Sequence, residues 1–322
     1  MNKLPNEVDA MLAALDAGFP AVATLSPDEV RELVASRAQP PTNLDDVRSA
    51  TDEVIEDAGR TVRVRVYQPH GATDVARAAV VFFHGGGFVF CGIESHDGFC
   101  RTMARRLDAV VVSVEYRLAP EAKAPAAAHD AFLATRWVAE QAERLGVDVG
   151  RLLVAGDSAG GNLAAAVCLM ARDAGGPAIA GQVLLYPVLE PVFDNEGHRR
   201  FGTGCYNTTD NMRWYWQQYL PDGPIPEPVE YVVPPRAASL AGLPPAVVVT
   251  PGRDPLTTEG EEYAVRLRAD GVPVRHRHYP DLFHGFATMA TLAAGASARE
   301  LLWSDVDALL ASLPSPTLQE YR

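Results

Sequence analysis

Ser158 stands in Gly156-Asp157-Ser158-Ala159-Gly160-Gly161, directly after the apolar run Arg151-Leu152-Leu153-Val154-Ala155 and before a helix-like segment beginning near Asn162. A serine on such a strand-to-helix elbow has its hydroxyl pushed out above the strand end. The turn is sharp enough that the positions two before and two after it must be small, which Gly156 and Gly160 supply. Glycine-flanked serines also occur in ordinary tight turns, so other residues must complete any chemistry. Serine at its normal pKa is a weak nucleophile and needs a histidine base, itself held by a carboxylate. In this architecture the order is serine, acid, histidine, each following a strand. Of the eight histidines, His284 in Asp281-Leu282-Phe283-His284-Gly285-Phe286 meets that requirement. Asp254, in Thr250-Pro251-Gly252-Arg253-Asp254-Pro255-Leu256, is the candidate acid, with Glu259 and Asp281 as rivals. Asp157, beside the serine, is assigned a structural hydrogen-bonding role, because neighbours on an elbow point in different directions.

A second glycine-rich turn follows the strand-like Val80-Val81-Phe82-Phe83: His84-Gly85-Gly86-Gly87-Phe88. Three consecutive glycines cost conformational entropy, so the backbone there must approach something that side chains would block. An oxyanion hole is one such need, built from backbone N–H groups facing the oxygen that becomes negative during attack on a carbonyl. Gly85, Gly86 and Gly87 are the candidate donors, Gly86 and Gly87 the favoured pair, and the N–H of Ala159 completes the set. The alternative, a flexible turn or phosphate loop, lacks a Walker lysine.

Apolar β-branched runs at 61–67, 78–83, 109–114, 152–155, 182–186, 246–250 and 272–278 alternate with helical patterns at 98–107, 124–144, 159–174, 259–269 and 298–312. The fold class this predicts is α/β, with a mostly parallel central sheet flanked by helices on both faces. Two regions stand outside the alternation: residues 1–55, with a capping-box helix start at Ser26-Pro27-Asp28-Glu29, and an aromatic, proline-closed insertion at 190–235. Such an insertion is commonly a lid over the crevice at the strand ends, with Trp214 and Phe201 as candidate lining residues.

The chain has 322 residues, 48% of them hydrophobic, and a formal charge of −13. That balance argues against a nucleic-acid or anionic-membrane partner. Met1 to Asp9 lack the pattern of a secretory leader, and no apolar run reaches a membrane-spanning length of roughly 18 residues. Cys91, Cys100, Cys168 and Cys205 have no short metal-ligand spacing and read as reduced thiols of a cytoplasmic protein.

Together His84-Gly85-Gly86-Gly87 and Gly156-Asp157-Ser158-Ala159-Gly160-Gly161 resemble the marks of the hormone-sensitive-lipase-like carboxylesterases of the α/β-hydrolase superfamily. Tyr116-Arg117-Leu118-Ala119-Pro120-Glu121 and Asp254-Pro255-Leu256 are similar to further signatures of that family. Ala122-Lys123-Ala124-Pro125 departs from the more aromatic or proline-rich stretch common there. The resemblance implies cleavage of short- to medium-chain acyl esters, a small-molecule ester substrate and no cofactor. It also implies a cap made of residues 1–55 and 190–235 over a core of 56–189 and 236–322, and is compatible with a homodimer through the last strand. An amidase or peptidase on the same triad remains open, as does a small-ligand receptor like the gibberellin receptors, which have lost the histidine.

Overall fold

The computed structural model describes residues 7–19, 21–71 and 75–313. The β-branched runs become strands β2 (Arg60–Gln68), β3 (Arg77–Phe83), β4 (Val110–Glu115), β5 (Val147–Asp157), β6 (Gly181–Leu185), β7 (Ala246–Arg253) and β8 (Val274–Phe283), preceded by β1 (Ser49–Asp57). They form one eight-stranded sheet in the order β1-β2-β4-β3-β5-β6-β7-β8. The β1–β2 and β2–β4 pairs are antiparallel and the others parallel. Helices α3 (Ile93–Leu107), α4 (Ala126–Glu140), α5 (Ala142–Leu145), α6 (Ala159–Ala174), α9 (Thr257–Ala269) and α10 (Ala296–Ser312) connect and cover the strands.

The sequence pattern does not predict β1. Its acidic sequence leaves only Ile55 buried, because it is an edge strand held by β2 alone. The expected boundary at residue 55 therefore falls inside a strand, and the sheet begins at Ser49. The helical pattern at 124–144 also divides, into α4 and α5.

Alternation along the strands splits the core into two layers. In β3, Ala79, Val81 and Phe83 join the cluster that contains α6, while Val80 and Phe82 join the one beneath α3 and α10. Every residue of α6 from Ala159 to Ala171 is buried, Cys168 included, as suits a helix covered on all sides.

The topology places the site. The chain passes from β3 outward to β4, then returns to β5 on the other flank of β3. Such a reversal opens a crevice at the carboxyl ends of the strands. Phe83 and Gly156 are register partners, so the segments that follow, His84 to Gly87 and Ser158, emerge side by side.

Two further groups of helices approach that crevice. Helices α1 (Glu7–Gly18) and α2 (Pro27–Arg37) come from the N-terminal region, α7 (Glu196–Phe201) and α8 (Thr209–Tyr219) from the insertion. The capping box of α2 forms as its sequence predicts: Ser26 N–H donates to Glu29 at 2.7 Å and Glu29 N–H to the Ser26 hydroxyl at 3.3 Å. Arg31 ties α2 to the core, donating to the Val89 and Ala119 carbonyls at 2.8 Å each and to both Glu121 oxygens at 2.7 Å. Asp9 of α1 is ion-paired with Arg253 at the end of β7. Helix α8 packs on the glycine turn through Phe88 and Tyr219, whose rings stack at 3.8 Å. Among the described residues no helix is long and apolar enough to cross a membrane.

Candidate active site

Ser158 joins β5 to α6 with φ 54° and ψ −118°, a conformation that a non-glycine residue holds only when its surroundings impose it. The imposition is visible on both sides. A Cβ on Gly156 would lie 2.1 Å from the Gly160 carbonyl oxygen, and one on Gly160 would lie 1.9 Å from that of Phe83. The Ser158 backbone is held by its N–H, which donates to the Leu185 carbonyl at 2.8 Å, and by its own carbonyl, which accepts from Val188 at 3.1 Å.

The loops after β7 and β8 bring Asp254 and His284 to this hydroxyl. Asp254 Oδ2 lies 2.7 Å from His284 Nδ1, and His284 Nε2 lies 2.9 Å from Ser158 Oγ. A carboxylate can only accept, so Nδ1 carries the imidazole proton and leaves Nε2 to accept from the serine hydroxyl. Asp254 is fully buried and its second oxygen accepts the Leu256 N–H at 3.0 Å. The rivals lie elsewhere. Glu259 accepts the Leu189 N–H at 2.8 Å, and Asp281 is exposed. His276 and His278 both face the Thr250 hydroxyl from within β8.

The glycine turn lies against this constellation, with one correction to the candidate donors. Gly85 N–H is already engaged, donating to Asp157 Oδ1 at 2.8 Å, and so is not available to a substrate oxygen. No acceptor among the described residues engages the N–H of Gly86 or Gly87. Both have positive φ, 118° and 58°, and side chains there would strike the Phe90 carbonyl and the Tyr215 ring. Ala159 opens α6, where the first N–H groups have no intrahelical acceptor.

Asp157 also meets His96, whose Nε2 lies 3.2 Å away. Burial works to raise the Asp157 carboxyl, but His96, the Gly85 N–H and His84 outweigh it and hold it below the usual carboxylate range. His84 is fully buried, which pushes it down to about 4, with His96 adding to the effect. It is therefore neutral near pH 7, and its Nδ1–H donates to the Gly85 carbonyl at 2.7 Å. Its ring stacks on Tyr116 at 4.2 Å, and the Tyr116 hydroxyl donates to the His84 carbonyl at 2.7 Å. These contacts make His84 a brace for the turn rather than a base.

A pocket of about 150 Å³ opens above Ser158 and His284, and the 190–235 insertion contributes Tyr206, Asn207, Asn211 and Tyr215 to its wall. Trp214 and Phe201 do not line it. Trp214 packs edge-on against Tyr215, and Phe201 faces a separate cleft near His278. The helical period of α8 explains the choice, since Asn211 and Tyr215 share a face that Trp214 leaves. His96 is a pocket residue that sequence reasoning passed over; its one signal is that it lies on α3, the first helix after the glycine turn. Cys91 also lines the pocket, but desolvation pushes its thiol up to about 12, so it is not a thiolate nucleophile. Among the described residues no cluster of three His, Cys, Asp or Glu side chains is arranged to hold a metal ion.

Comparison with known proteins agrees with this geometry. Residues 80–288 match the model of a family described by its alpha/beta hydrolase fold. The chain is 41% identical over 262 residues to the esterase LipI of Mycobacterium tuberculosis, covering 76% of this chain and 77% of that protein. An ethyl acetate hydrolase of Pseudomonas putida is 34% identical, with 82% of each chain covered. Among solved structures, a thermostable esterase from Pseudomonas putida superposes with a TM-score of 0.88 at 34% identity, over 98% of this chain and 99% of that one. With the serine elbow, the glycine turn and the sheet order all in place, the chain belongs to the α/β-hydrolase fold family, in its hormone-sensitive-lipase-like esterase branch.

Proposed function

We propose that this chain is a carboxylic ester hydrolase that cleaves short- to medium-chain acyl esters, with Ser158 as nucleophile, His284 as general base and acid, and Asp254 as the group that orients the histidine. The observation that carries this reading is the continuous line from Asp254 through His284 to Ser158, at 2.7 and 2.9 Å, ending beneath a small pocket. His284 takes the hydroxyl proton as Ser158 Oγ bonds to the ester carbonyl carbon, and the carbonyl oxygen becomes an oxyanion. The N–H groups of Gly86, Gly87 and Ala159 receive that charge. Collapse of the intermediate breaks the bond to the alkoxy oxygen, which leaves with the proton from His284. Water, deprotonated by the same histidine, then releases the carboxylic acid and restores Ser158.

The short-acyl preference is supported by the pocket's size and by likeness to the ethyl acetate hydrolase. Amide or peptide cleavage has no comparable support. A receptor role is disfavoured because His284, the residue those receptors lack, is within hydrogen-bonding distance of Ser158. We assign α1, α2 and the 190–235 insertion to a cap over the site. The four free thiols support residence in a reducing compartment, the cytoplasm. A homodimer through β8, which has a strand on one side only, is the assembly we favour; sedimentation equilibrium returning a monomer mass would reject it.

The deciding experiment is hydrolysis of p-nitrophenyl esters from acetate to palmitate by the native chain and by Ser158→Ala. Activity on short esters that disappears in the variant supports the proposal. A folded native chain with no activity, and no reaction with an organophosphonate at Ser158, overturns it.

A further inference from the structure

The pocket above Ser158 is small. A cavity of about 150 Å³ is the size that holds one benzene ring. Behind its cap-side wall lies a second, open-sided groove of about 460 Å³, between α1 and α2, lined by Ala14, Leu15, Leu33 and Val34 together with Arg37 and Gln39. Three side chains, Phe19, Tyr206 and Met289, line both spaces. We propose that these three form a partition that sets the upper length of the ester's aliphatic arm, and that Phe19 is the residue that fixes that limit. This rests on the esterase reading above.

The partition is built rather than incidental. Phe19 meets Tyr206 edge to face, with ring centroids 5.2 Å apart and planes at 77°, and its other flank leans on Phe90 at 6.3 Å. Tyr206 has φ 67°, a left-handed conformation costly for a tyrosine. Its N–H donates to Asp16 of α1 at 2.8 Å, so the helix that leads into Phe19 also holds the ring opposite it. The same helix is anchored at its start, where Glu7 accepts the N–H groups of Ala293 and Ala294 at 2.7 Å and Asp9 meets Arg253. Both rings are therefore tied to one anchored helix. Met289 closes the remainder with a flexible thioether, while its carbonyl is fixed by Arg299 at 3.0 Å.

An arm that fills the inner pocket and grows in this direction must cross this wall into the space behind it, which is apolar where α1 and α2 face each other. Each methylene buried there is worth roughly fourfold in binding. Removing the Phe19 ring joins the two spaces, and the gain must rise with chain length.

The test compares kcat/KM for p-nitrophenyl acetate, butyrate, octanoate and decanoate, and for acetates of ethyl to octyl alcohols, in the native chain, Phe19→Ala, Met289→Ala and Phe19→Ala with Leu33→Trp. The expected result is a decanoate-to-butyrate or octyl-to-ethyl ratio at least about tenfold higher in Phe19→Ala. A smaller rise is expected in Met289→Ala, and the double variant, its rear groove filled, returns towards the native profile. A uniform gain at every length would identify an access route, and an unchanged profile in both single variants an inert wall; either overturns the proposal. Native activity on acetate that is lost in Ser158→Ala keeps the esterase reading standing whichever way the length profile falls, and Met289→Ala, on a different element, carries the test if Phe19→Ala does not fold.

Discussion

Asp157 Oδ1 accepts the Gly85 N–H at 2.8 Å, so one buried carboxylate joins the elbow that carries Ser158 to the glycine turn that faces it. The same oxygen lies 3.2 Å from His96 Nε2. Asp157→Ala would leave both of these buried groups without their acceptor. Each unpaired group costs roughly 1–3 kcal/mol, so a drop of that order in urea-unfolding stability is expected. Because Gly86 and Gly87 follow on the same turn, kcat should also fall by about 100-fold with KM little changed, the mark of an interaction made in the transition state. Asp157→Asn keeps an acceptor oxygen and should stay within about tenfold of the native kcat. An alanine variant with native stability and native kcat would rule out the coupling.

Asp254 makes a sharper demand on chemistry than on folding. Asp254→Asn preserves shape but offers His284 an amide that can donate, so the imidazole is free to turn its proton towards Ser158. The expected loss in kcat is about ten-thousandfold, the size associated with a wrong tautomer at such a triad. The Asp254→Asn, His284→Ala double variant should be no worse than His284→Ala alone, because the aspartate acts through the histidine. Pre-steady-state and steady-state hydrolysis of p-nitrophenyl acetate give both comparisons. Additive losses would show that Asp254 acts on the substrate by another route.

Arg31 and Glu121 link α2 to the core, and the link has a pH signature. The Arg31 hydrogen bonds hold the Glu121 carboxyl at about 2, against an ordinary 4.5. A carboxyl lowered in the folded state contributes stability that is complete above its unfolded value and is lost as pH falls through the folded one. Native stability should therefore decline between about pH 4.5 and 2 by an amount absent from Glu121→Gln. Glu121 is 62% exposed, so solvent screening keeps the difference below about 1 kcal/mol. Arg31→Ala should cost more, since it also strips donors from the Val89 and Ala119 carbonyls. Equal losses in the two variants would reduce Arg31 to a surface charge.

The geometry of the candidate site is legible in sequence where a backbone constraint is written in residue types. Gly156 and Gly160 around Ser158, and three glycines after β3, are demands of close approach that only glycine meets, and their order along the chain points to Asp254 and His284. The face that the insertion turns to the pocket is not legible in the same way. Trp214 and Phe201 are two of the large aromatics of the insertion, but the pocket is walled by Tyr206, Asn207, Asn211 and Tyr215, chosen by the rotation of α8 and by a left-handed residue before it. Gly85 illustrates a subtler limit: its type signals a tight turn, but only the position of Asp157 shows that its N–H is already spent. Strand β1 escaped because an exposed edge strand needs no apolar alternation beyond Ile55.

Glu259 gives a prediction of opposite sign to Glu121. It is buried beneath the loop that follows β6; burial, with some help from Asp254 and Glu190, raises its carboxyl well above the ordinary value despite the N–H bonds from Leu189 and Glu190. A carboxyl that stays protonated when folded but ionises when unfolded makes the native state take up a proton that the unfolded state releases. Stability then falls as pH rises from about 4.5 towards the raised value. Glu259→Gln keeps a carbonyl for the Leu189 N–H, now 2.8 Å from Glu259 Oε1, and cannot ionise in either state. The glutamine variant should match or exceed the native chain near pH 7, with an advantage that widens from pH 5 to 8. Glu259→Ala, which leaves Leu189 unpaired over a cavity, should lose roughly 2–4 kcal/mol. Urea unfolding of the three chains across that range decides the matter: a glutamine variant less stable than native at pH 7 and parallel to it in pH dependence would mean that Glu259 is ionised in the folded protein.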